Sequence, residues 1–278
     1  MILVLGVDGY LGSLLCSANV YNLPDISGVP NLSKILYSLS KDQLIDCGLK
    51  PEEVSTVVIA ASKPKLEKWS LRDFESNLNI VKGVTKHFQD SRVIFLSTVD
   101  IYGNSPDLPL NEFSKQAGNS LYAKSKIQSE HVLMENFSSD RLLILRLPGV
   151  YGGSYKAHGL LDLFVRHCQK NKPVVLDSVD VLEVKRDWVY GPDIIEFLIR
   201  NTLNEKFSGG VFNFVRGRSI TIKEWIMCAE ELTGSTATIV FREPQIHHEI
   251  FDLEFDTSRL TSAFPALTYT PIKDSIIV

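Results

Sequence analysis

The chain has 278 residues, of which 44% are hydrophobic and 22% are charged, and its formal net charge at pH 7 is −4. This composition is typical of a globular protein with a sizeable core, and the absence of a long Lys/Arg run argues against a nucleic acid or an anionic membrane as the main partner. Because no apolar run reaches the roughly 18 residues of a membrane span and the N-terminus lacks the basic residues of a signal peptide, we expect a cytoplasmic protein.

The first predicted element is a buried strand that leads directly into a glycine-rich turn. In "ILVLGVDGYLG" four apolar residues precede Gly6, Gly9 and Gly12, and a short helix follows. Glycines allow a tight turn and let main-chain N–H groups approach a phosphate, and the N-terminus of the following helix favours negative charge. The spacing G-x-x-G-x-x-G therefore indicates a dinucleotide site, with a plain strand-to-helix turn as the alternative.

The next segment decides little about the cofactor. A dinucleotide site usually has an acidic residue about 20 positions after the glycines, where it holds the ribose hydroxyls. The short second-strand stretch "NVYNLPDISG" offers Asp25, which follows Pro24 and equally suits an ordinary turn. Lys34 is the nearby candidate for a 2′-phosphate. The sequence therefore leaves NAD and NADP as alternatives.

The following elements alternate between strands and helices. We predict strands in "VSTVVIAAS", "RVIFLST" and "RLLILRL", and helices in "KLEKWSLRDFESNLNIVKGVTKHFQD" and "SLYAKSKIQSEHVLMENF". This alternation predicts an α/β fold with a doubly wound parallel sheet. Ligands of such a sheet bind at the carboxyl ends of its strands.

Two groups of polar residues stand where such a site is expected. The stretch "SLYAKSK" places Tyr122 four residues before Lys126, so the phenol and the ammonium share one helix face. An exposed surface pair is the alternative interpretation. Thr98 ends the strand "RVIFLST", and Asp100 follows two residues later. We therefore expect these hydroxyl and carboxylate groups to lie near Tyr122.

Taken together, these motifs resemble the extended short-chain dehydrogenase/reductase family, and within it the NAD-dependent epimerase/dehydratase group that acts on nucleotide sugars. The similar stretches cover nearly the whole chain, in this order: "GVDGYLG", "IAAS", "NLNIVKG", "LSTVDIYG", "YAKSK", "RLPGVYGG", "KRDWVYGPDI", "FNFVRGRSITIKEW" and "FDTSRL". The resemblance implies a Rossmann-type fold, with an NAD(P)-binding domain over residues 1–150. It also implies a smaller, mainly substrate-binding portion over residues 151–278, interleaved with the Rossmann sheet.

The resemblance further implies a role for each site residue. Tyr122 is then the general acid/base, Lys126 lowers the pKa of Tyr122 and holds the nicotinamide ribose, and Thr98 hydrogen-bonds the sugar oxygen. Arg186 in "KRDW" resembles an arginine that binds the nucleotide diphosphate, although a surface pair with Asp187 or Glu183 is the alternative. The implied cofactor-binding residues are Gly6, Gly9, Tyr10, Leu11, Gly12, Ala60, Ala61, Asn77 and Lys126.

The reaction stays open within this family. A 4,6-dehydratase needs a carboxylate pair or a Glu directly after the threonine, where this sequence has Val99 and Asp100. A 4-ketoreductase and a 4-epimerase both need only Thr98, Tyr122 and Lys126. Because the second-strand region is short and its ribose acid uncertain, we expect an exchanging cofactor and hence reduction of a 4-keto nucleotide sugar by hydride transfer, with Tyr122 as general acid.

Three alternatives to the reductase remain. The first is a nucleotide-sugar 4-epimerase with retained NAD, and the second is a 4,6-dehydratase in which Asp100 is a further catalytic residue. The third belongs to another class, a non-catalytic protein that binds a nucleotide sugar on the same fold. The intact set of Thr98, Tyr122 and Lys126 argues against that third hypothesis.

Cysteine spacing and assembly complete the expectations. Cys16, Cys47, Cys168 and Cys228 are scattered, so we predict no disulfide framework and no metal site. The resemblance implies NAD or NADP as cofactor and a nucleotide sugar as the small-molecule partner. It also predicts a homodimer that pairs through the helices carrying "NLNIVKG" and "YAKSK", although the apolar positions there serve the core equally well.

Overall fold

The computed structural model describes residues 2–7, 9–17, 49–63, 68–152, 159–203, 207–242 and 251–275. The chain forms two compact units. Unit 1 comprises Met1–Gly103, Gly118–Arg146 and Ile195–Phe212. Unit 2 comprises Asn104–Ala117, Leu147–Ile194 and Asn213–Val278. The predicted second strand, with Asp25 and Lys34, lies outside the described residues.

Strands and helices alternate along the first half of the chain, as the sequence predicts. The strands are β1 (Ile2–Leu5), β2 (Thr56–Ile59), β3 (Arg92–Thr98), β4 (Leu142–Leu147), β5 (Gly149–Tyr151), β6 (Val174–Leu176), β7 (Lys185–Arg186), β8 (Trp188–Tyr190), β9 (Gly210–Asn213), β10 (Ile220–Thr221) and β11 (Ile239–Phe241). The helices are α1 (Tyr10–Ser17), α2 (Leu71–His87), α3 (Leu121–Asn136), α4 (Leu160–Gln169), α5 (Gly191–Leu203), α6 (Ile222–Thr233) and α7 (Ser258–Ala263). Short 3₁₀ helices span Pro51–Glu53, Val99–Tyr102, Val179–Glu183 and Ile272–Asp274.

Five of the described strands form the central sheet, in the order β1-β2-β3-β4-β9. Parallel pairing sets Val4 opposite Val58 and Val58 opposite Ile94. β1, β2 and β4 are buried along their whole length, and strands covered on both faces are typically rich in apolar residues, as these are apart from Thr56 and Arg146. The prediction of an α/β fold with a parallel sheet is therefore confirmed.

The two long helices of unit 1 pack against each other and are fixed at their N-termini by side-chain caps. Ser70 and Asp73 form a reciprocal capping box at the start of α2, and Ser120 accepts a hydrogen bond from the Ala123 N–H at the start of α3. Such caps satisfy main-chain donors that have no partner within the helix. The buried face of α2 joins the core of unit 1, which includes Leu5, Ile59, Val81, Val84, Phe95, Leu133 and Ile144.

Unit 2 has its own core and short strand pairs. β5 pairs with β8 in parallel, β6 with β11 in parallel, and β7 with β10 antiparallel. The rings of Trp188 and Trp225 stack with centroids 4.5 Å apart, and both side chains are buried. Tyr151 packs beside them.

Two findings concern the predicted cysteine and membrane properties. Cys16, Cys168 and Cys228 are free thiols, whereas Cys47 lies outside the described residues. Across the part of the chain that the structure describes, no helix has both the length and the apolar character needed to cross a membrane.

Candidate active site

The glycine turn between β1 and α1 packs so closely against neighbouring main chain that two of its positions have no room for a side chain. Gly6 has φ +99°, and a Cβ added there would lie 2.5 Å from the Ala61 nitrogen. A Cβ at Gly12 would lie 2.1 Å from the Gly6 oxygen, and the Gly9 N–H donates to that same oxygen at 3.0 Å. A side chain is therefore excluded at Gly6 and Gly12. The Ala60–Ala61 segment after β2 closes directly onto the turn, since the Ala60 N–H donates to the Leu5 carbonyl at 2.9 Å.

This turn has the features that a dinucleotide requires. Tyr10 and Leu11 begin α1 immediately after the turn, so that main-chain N–H groups at a helix N-terminus face the same region. The segments predicted to bind the cofactor, residues 6–12 and 60–61, lie together. The residues present thus fit NAD or NADP, and the roles of the individual residues stay predictions.

Asn77 connects the end of β2 to the helix that carries Tyr122. Its Nδ2 donates to Ser62 Oγ at 3.2 Å and to Ser125 Oγ at 3.5 Å, and Asn77 itself is buried. Ser125 Oγ in turn donates to the Tyr122 carbonyl at 2.8 Å. The side-chain amide of Asn77 therefore links the segment after β2, at Ser62, to the first turn of α3.

Thr98, Asp100 and Tyr122 form one hydrogen-bonded cluster at the carboxyl end of β3. Thr98 Oγ1 donates to Asp100 Oδ2 at 3.2 Å and accepts from the Asp100 N–H at 3.2 Å. The Tyr122 hydroxyl shares a hydrogen bond with Thr98. The structure thus brings together the hydroxyl, the carboxylate and the phenol that the sequence places near one another.

The phenol of Tyr122 is held in its protonated form. Burial raises the pKa of Tyr122 above its ordinary value, the negative charge of Asp100 raises it further, and the hydrogen bond with Thr98 opposes both effects. Lys126 does not enter this balance in the described structure. The expectation that Lys126 lowers the pKa of Tyr122 stays a prediction for the complex with cofactor.

Lys126 lies one helical turn after Tyr122 and points its ammonium at β3. Its side chain is buried, Nζ donates to the Leu96 carbonyl at 2.8 Å, and Nζ lies 4.7 Å from the centroid of the Phe95 ring. Burial lowers the pKa of Lys126 to about 8, and the charge of Glu130 counteracts that shift. Because Lys126 is buried, it is not part of an exposed surface pair with Tyr122.

A buried polar network behind these residues was not predicted from the sequence. Arg146 Nη2 donates to Glu130 Oε2 at 2.8 Å and Arg146 Nη1 donates to the Tyr102 hydroxyl at 2.8 Å. The Ser97 hydroxyl donates to the other carboxylate oxygen of Glu130. Glu130 is 0% exposed and Arg146 is 3% exposed. The network therefore joins β3, α3 and β4 directly beside Thr98 and Lys126.

Two sequence signals could have indicated this network. Glu130 follows Lys126 by four residues, so both project from the same helix face. Arg146 interrupts the apolar stretch "LLILRL", and a charged residue inside a buried strand requires a partner.

The substrate-side candidate Arg186 lies in unit 2 on β7. Its Nη1 donates to the Lys185 carbonyl at 2.8 Å and to the Phe251 carbonyl at 2.6 Å, and its guanidinium lies 5.4 Å from the Phe251 ring centroid. The suggested partner Asp187 instead accepts from the Gly217 N–H at 2.7 Å. Diphosphate binding by Arg186 stays a prediction, and so does the alternative of a pair with Asp187 or Glu183.

Two relatives share sequence with much of this chain. The dTDP-4-dehydro-6-deoxyglucose reductase of Escherichia coli is 23% identical over 287 residues, which cover 93% of this chain and 89% of the reductase. The dTDP-D-glucose 4,6-dehydratase of Bos taurus is 22% identical over 204 residues, which cover 70% of this chain and 57% of the dehydratase.

Solved structures share the fold over nearly the entire chain. RMD from Pseudomonas aeruginosa, complexed with NADPH, has a TM-score of 0.78 at 21% identity and matches 99% of this chain and 94% of that chain. The UDP-glucuronic acid 4-epimerase of Bacillus cereus, in complex with UDP-glucuronic acid and NAD, has a TM-score of 0.77 at 21% identity. The match covers 99% of this chain and 96% of that chain. These similarities confirm the Rossmann-type fold.

The family resemblance seen in the sequence is confirmed as well. The model of the NAD dependent epimerase/dehydratase family matches residues 2–214, a span that contains the glycine turn, Thr98, Tyr122, Lys126 and Arg186. With that match and the fold in agreement, the chain belongs to the NAD dependent epimerase/dehydratase family.

Proposed function

We propose that the protein reduces a 4-keto nucleotide sugar with NADH or NADPH, and that Tyr122 is the general acid. The observation that carries the proposal is the cluster at the carboxyl end of β3, in which Tyr122 hydrogen-bonds with Thr98 beside Asp100. With an ordinary pKa of about 10, a phenol is already protonated at neutral pH, and the raised pKa of Tyr122 keeps it so. That is the state required of a group that gives a proton to a sugar oxygen.

Each residue of the cluster then has a defined task. Bound NAD(P)H would supply the hydride that reduces C4 of the sugar. Tyr122 would donate its phenolic proton to the oxygen on C4, which becomes a secondary alcohol, and would recover a proton from solvent. Thr98, whose hydroxyl donates to Asp100, would turn to that oxygen as its negative charge grows.

Binding roles follow the same proposal. The turn at residues 6–12, the Ala60–Ala61 segment, Asn77 and Lys126 would hold the cofactor. Arg186 would bind the diphosphate of the substrate. A guanidinium carries five N–H donors in a planar fork, a geometry that matches phosphate oxygens.

Reduction is favoured over dehydration by the residues beside Thr98. Val99 is buried and offers no carboxylate, and Asp100 Oδ2 is the acceptor of the Thr98 hydroxyl. The similarity to the Escherichia coli reductase also spans 89% of that enzyme, against 57% for the bovine dehydratase. A 4-epimerase uses the same three residues, and the likeness to the Bacillus cereus epimerase over 99% of this chain keeps it as the second candidate.

The test follows cofactor and sugar separately. The protein is incubated with NADH or NADPH and dTDP-4-dehydro-6-deoxyglucose, and cofactor absorbance and product mass are recorded. Stoichiometric loss of reduced cofactor and a product heavier by two hydrogens support the proposal. Inversion of a UDP-hexose without net cofactor consumption would identify an epimerase, and loss of water from a nucleotide hexose a dehydratase. Tight nucleotide-sugar binding without turnover of any of these substrates would identify a non-catalytic protein.

Assembly and location belong to the proposal as well. We infer a homodimer that pairs through α2 and α3, of which α3 carries the exposed apolar side chain of Met134 (42% exposed). Native mass spectrometry of the purified protein tests this pairing and also reveals any copurified NAD(P). A cytoplasmic location remains a prediction from the sequence.

A further inference from the structure

An aromatic side chain outside the family motifs contacts the predicted general acid. The ring centroids of Trp69 and Tyr122 lie 5.3 Å apart at an interplanar angle of 71°. This edge-to-face arrangement is a preferred geometry for aromatic pairs. Trp69 is half-buried, whereas its neighbours Lys68, Ser70 and Leu71 are exposed. The chain therefore turns this one side chain inward, toward Tyr122.

The backbone around Trp69 is clamped on both sides. Lys63 Nζ donates to the Lys68 carbonyl at 2.8 Å and to Asp73 Oδ2 at 3.1 Å. On the other side, the Ser70 N–H donates to Asp73 Oδ2 at 2.7 Å as part of the capping box of α2. The pKa of Asp73 is lowered to about 2, chiefly by hydrogen bonds from Ser70, so the clamp stays ionised at working pH.

Lys63 ties this clamp to the predicted cofactor segment. It follows Ala60, Ala61 and Ser62 directly in the chain, and Ser62 is held by Asn77. The position of the Trp69 ring is thus fixed from the same loop that closes onto the glycine turn. A ring placed in this way can restrict the rotation of Tyr122.

We propose that Trp69 is a positioning residue for the reaction, whose ring holds the Tyr122 side chain against Thr98 and excludes water from one side of the phenol. This inference rests on the proposed function, in which Tyr122 works as the protonated acid. It assigns a task to Trp69 that the cofactor and substrate motifs leave unassigned.

The surroundings of the phenol determine what loss of the ring should do. The charged group that acts on Tyr122 is Asp100, in the 3₁₀ helix that follows β3. On α3 itself the Lys126 ammonium donates to the Leu96 carbonyl, and on the α2 side Lys63 and Asp73 pair with each other. Burial is the largest cause of the raised pKa of Tyr122. If water enters where Trp69 was, the pKa falls toward its ordinary value and the phenol loses its proton at lower pH.

The experiment compares Trp69→Ala and Trp69→Phe with Leu71→Ala, an exposed neighbour in the same turn. Each protein is titrated without substrate from about pH 9 to about pH 13, with its fold checked by circular dichroism at each pH. Its near-ultraviolet absorbance is compared with that of its own Tyr122→Phe version, so that the difference reports Tyr122 alone. We expect ionisation to begin at least about one pH unit lower in Trp69→Ala than in wild type. Trp69→Phe and Leu71→Ala should match wild type.

Turnover gives the second readout. In Trp69→Ala, kcat should fall about tenfold with little change in KM, and the alkaline limb of its pH profile should move to lower pH. In Trp69→Phe, both kcat and the position of the alkaline limb should match those of wild type. An unchanged titration of Tyr122 in Trp69→Ala would overturn the inference, and it does so whichever reaction the protein catalyses, because that measurement needs no substrate. If circular dichroism shows that Trp69→Ala is unfolded, Trp69→Leu is titrated instead, because leucine keeps apolar bulk without an aromatic ring. Its Tyr122 is expected to ionise at a pH between that of wild type and that expected for Trp69→Ala.

Discussion

Glu130 in unit 1 and Asp187 in unit 2 are both buried carboxylates, yet each is neutralised in a different way. Glu130 is paired with the guanidinium of Arg146, which contacts both of its oxygens. Asp187 receives the main-chain N–H groups of Gly217 at 2.7 Å and Arg218 at 3.2 Å. Glu130 thus has a hydrogen-bonded counter-ion, whereas the hydrogen-bond partners of Asp187 are main-chain donors, aided by the charge of Arg216.

The difference separates the region proposed to carry the chemistry from one that holds a loop. Around Glu130, side chains from β3, α3 and β4 lock together directly beside Thr98, Tyr122 and Lys126. Around Asp187, one carboxylate fixes the loop at residues 216–218 by its backbone. Burial raises the pKa of Asp187 to about 6, against the opposing hydrogen bonds from that loop. Variants in the first region should therefore alter turnover and stability strongly, and those in the second should act through pH and binding.

The largest effect is expected for Tyr122→Phe. Loss of the phenolic proton should lower kcat by about 10²- to 10⁴-fold, the usual scale for a positioned acid, while the fold and cofactor affinity stay intact because the ring remains. Steady-state kinetics and cofactor titration measure the two quantities. Turnover at the wild-type level would remove Tyr122 from the mechanism and with it the chemical role of the first region.

The second prediction breaks the ion pair itself. Arg146→Met leaves the charge of Glu130 buried without its counter-ion, which should lower the free energy of unfolding by about 3 to 5 kcal/mol. The matched control is Arg200→Met, which breaks the exposed pair with Glu196, whose side chains are 74% and 58% exposed. That change should cost less than about 1 kcal/mol. Urea unfolding measures both, and equal losses would contradict the distinction between the two environments.

The third prediction uses the pKa of Asp187. A carboxyl whose folded pKa is raised above its unfolded value stabilises the fold at low pH and loses that contribution as pH rises through about 6. Relative to wild type, Asp187→Asn should therefore gain stability between about pH 4 and pH 7, by up to about 3 kcal/mol.

Asp256→Asn is the control for that titration. The pKa of Asp256 is lowered by hydrogen bonds from Ser258, so its contribution changes only below about pH 4, and the stability difference between its variant and wild type should stay constant between about pH 4 and pH 7. Thermal unfolding across this range measures both variants. A stability difference for Asp187→Asn that does not change with pH would show that loop contacts cancel the cost of burying the charge.

Periodicity and motifs predicted the elements of unit 1 closely, since β3 is the predicted stretch "RVIFLST" and the α2 and α3 helices lie within their predicted segments. The cluster of Thr98, Asp100 and Tyr122 followed from the rule that ligands lie at strand ends. Contacts between distant segments could not be predicted in the same way. The partner of Glu130 lies 16 residues away on β4. Trp69 lies in the segment predicted to carry a helix, just before the N-cap of α2, and no pattern in that segment indicates its contact with Tyr122.

The fourth prediction concerns Arg186. Arg186→Ala should raise the KM for the nucleotide sugar about tenfold and change kcat much less, because a diphosphate anchor acts on ground and transition states alike. Lys185→Ala is the matched control, since that neighbouring cation pairs with Glu254 at 2.7 Å in a partly exposed position. Kinetics at saturating cofactor measure both variants. If KM is unchanged in Arg186→Ala, the role of Arg186 is limited to holding the carbonyls of Lys185 and Phe251.

The smallest effect is expected for Asp100→Asn, which also separates the candidate reactions. In a reductase or epimerase, Tyr122 handles the essential proton, so this change should lower kcat by less than about tenfold. Because the charge of Asp100 raises the pKa of Tyr122, its removal should also move the alkaline limb of the profile to lower pH. In a dehydratase, Asp100 would be the carboxylate beside Thr98 that removes the proton next to the 4-keto group, since Val99 supplies none. Loss of water from a nucleotide hexose by wild type but not by Asp100→Asn, followed by product mass, would therefore replace reduction with dehydration.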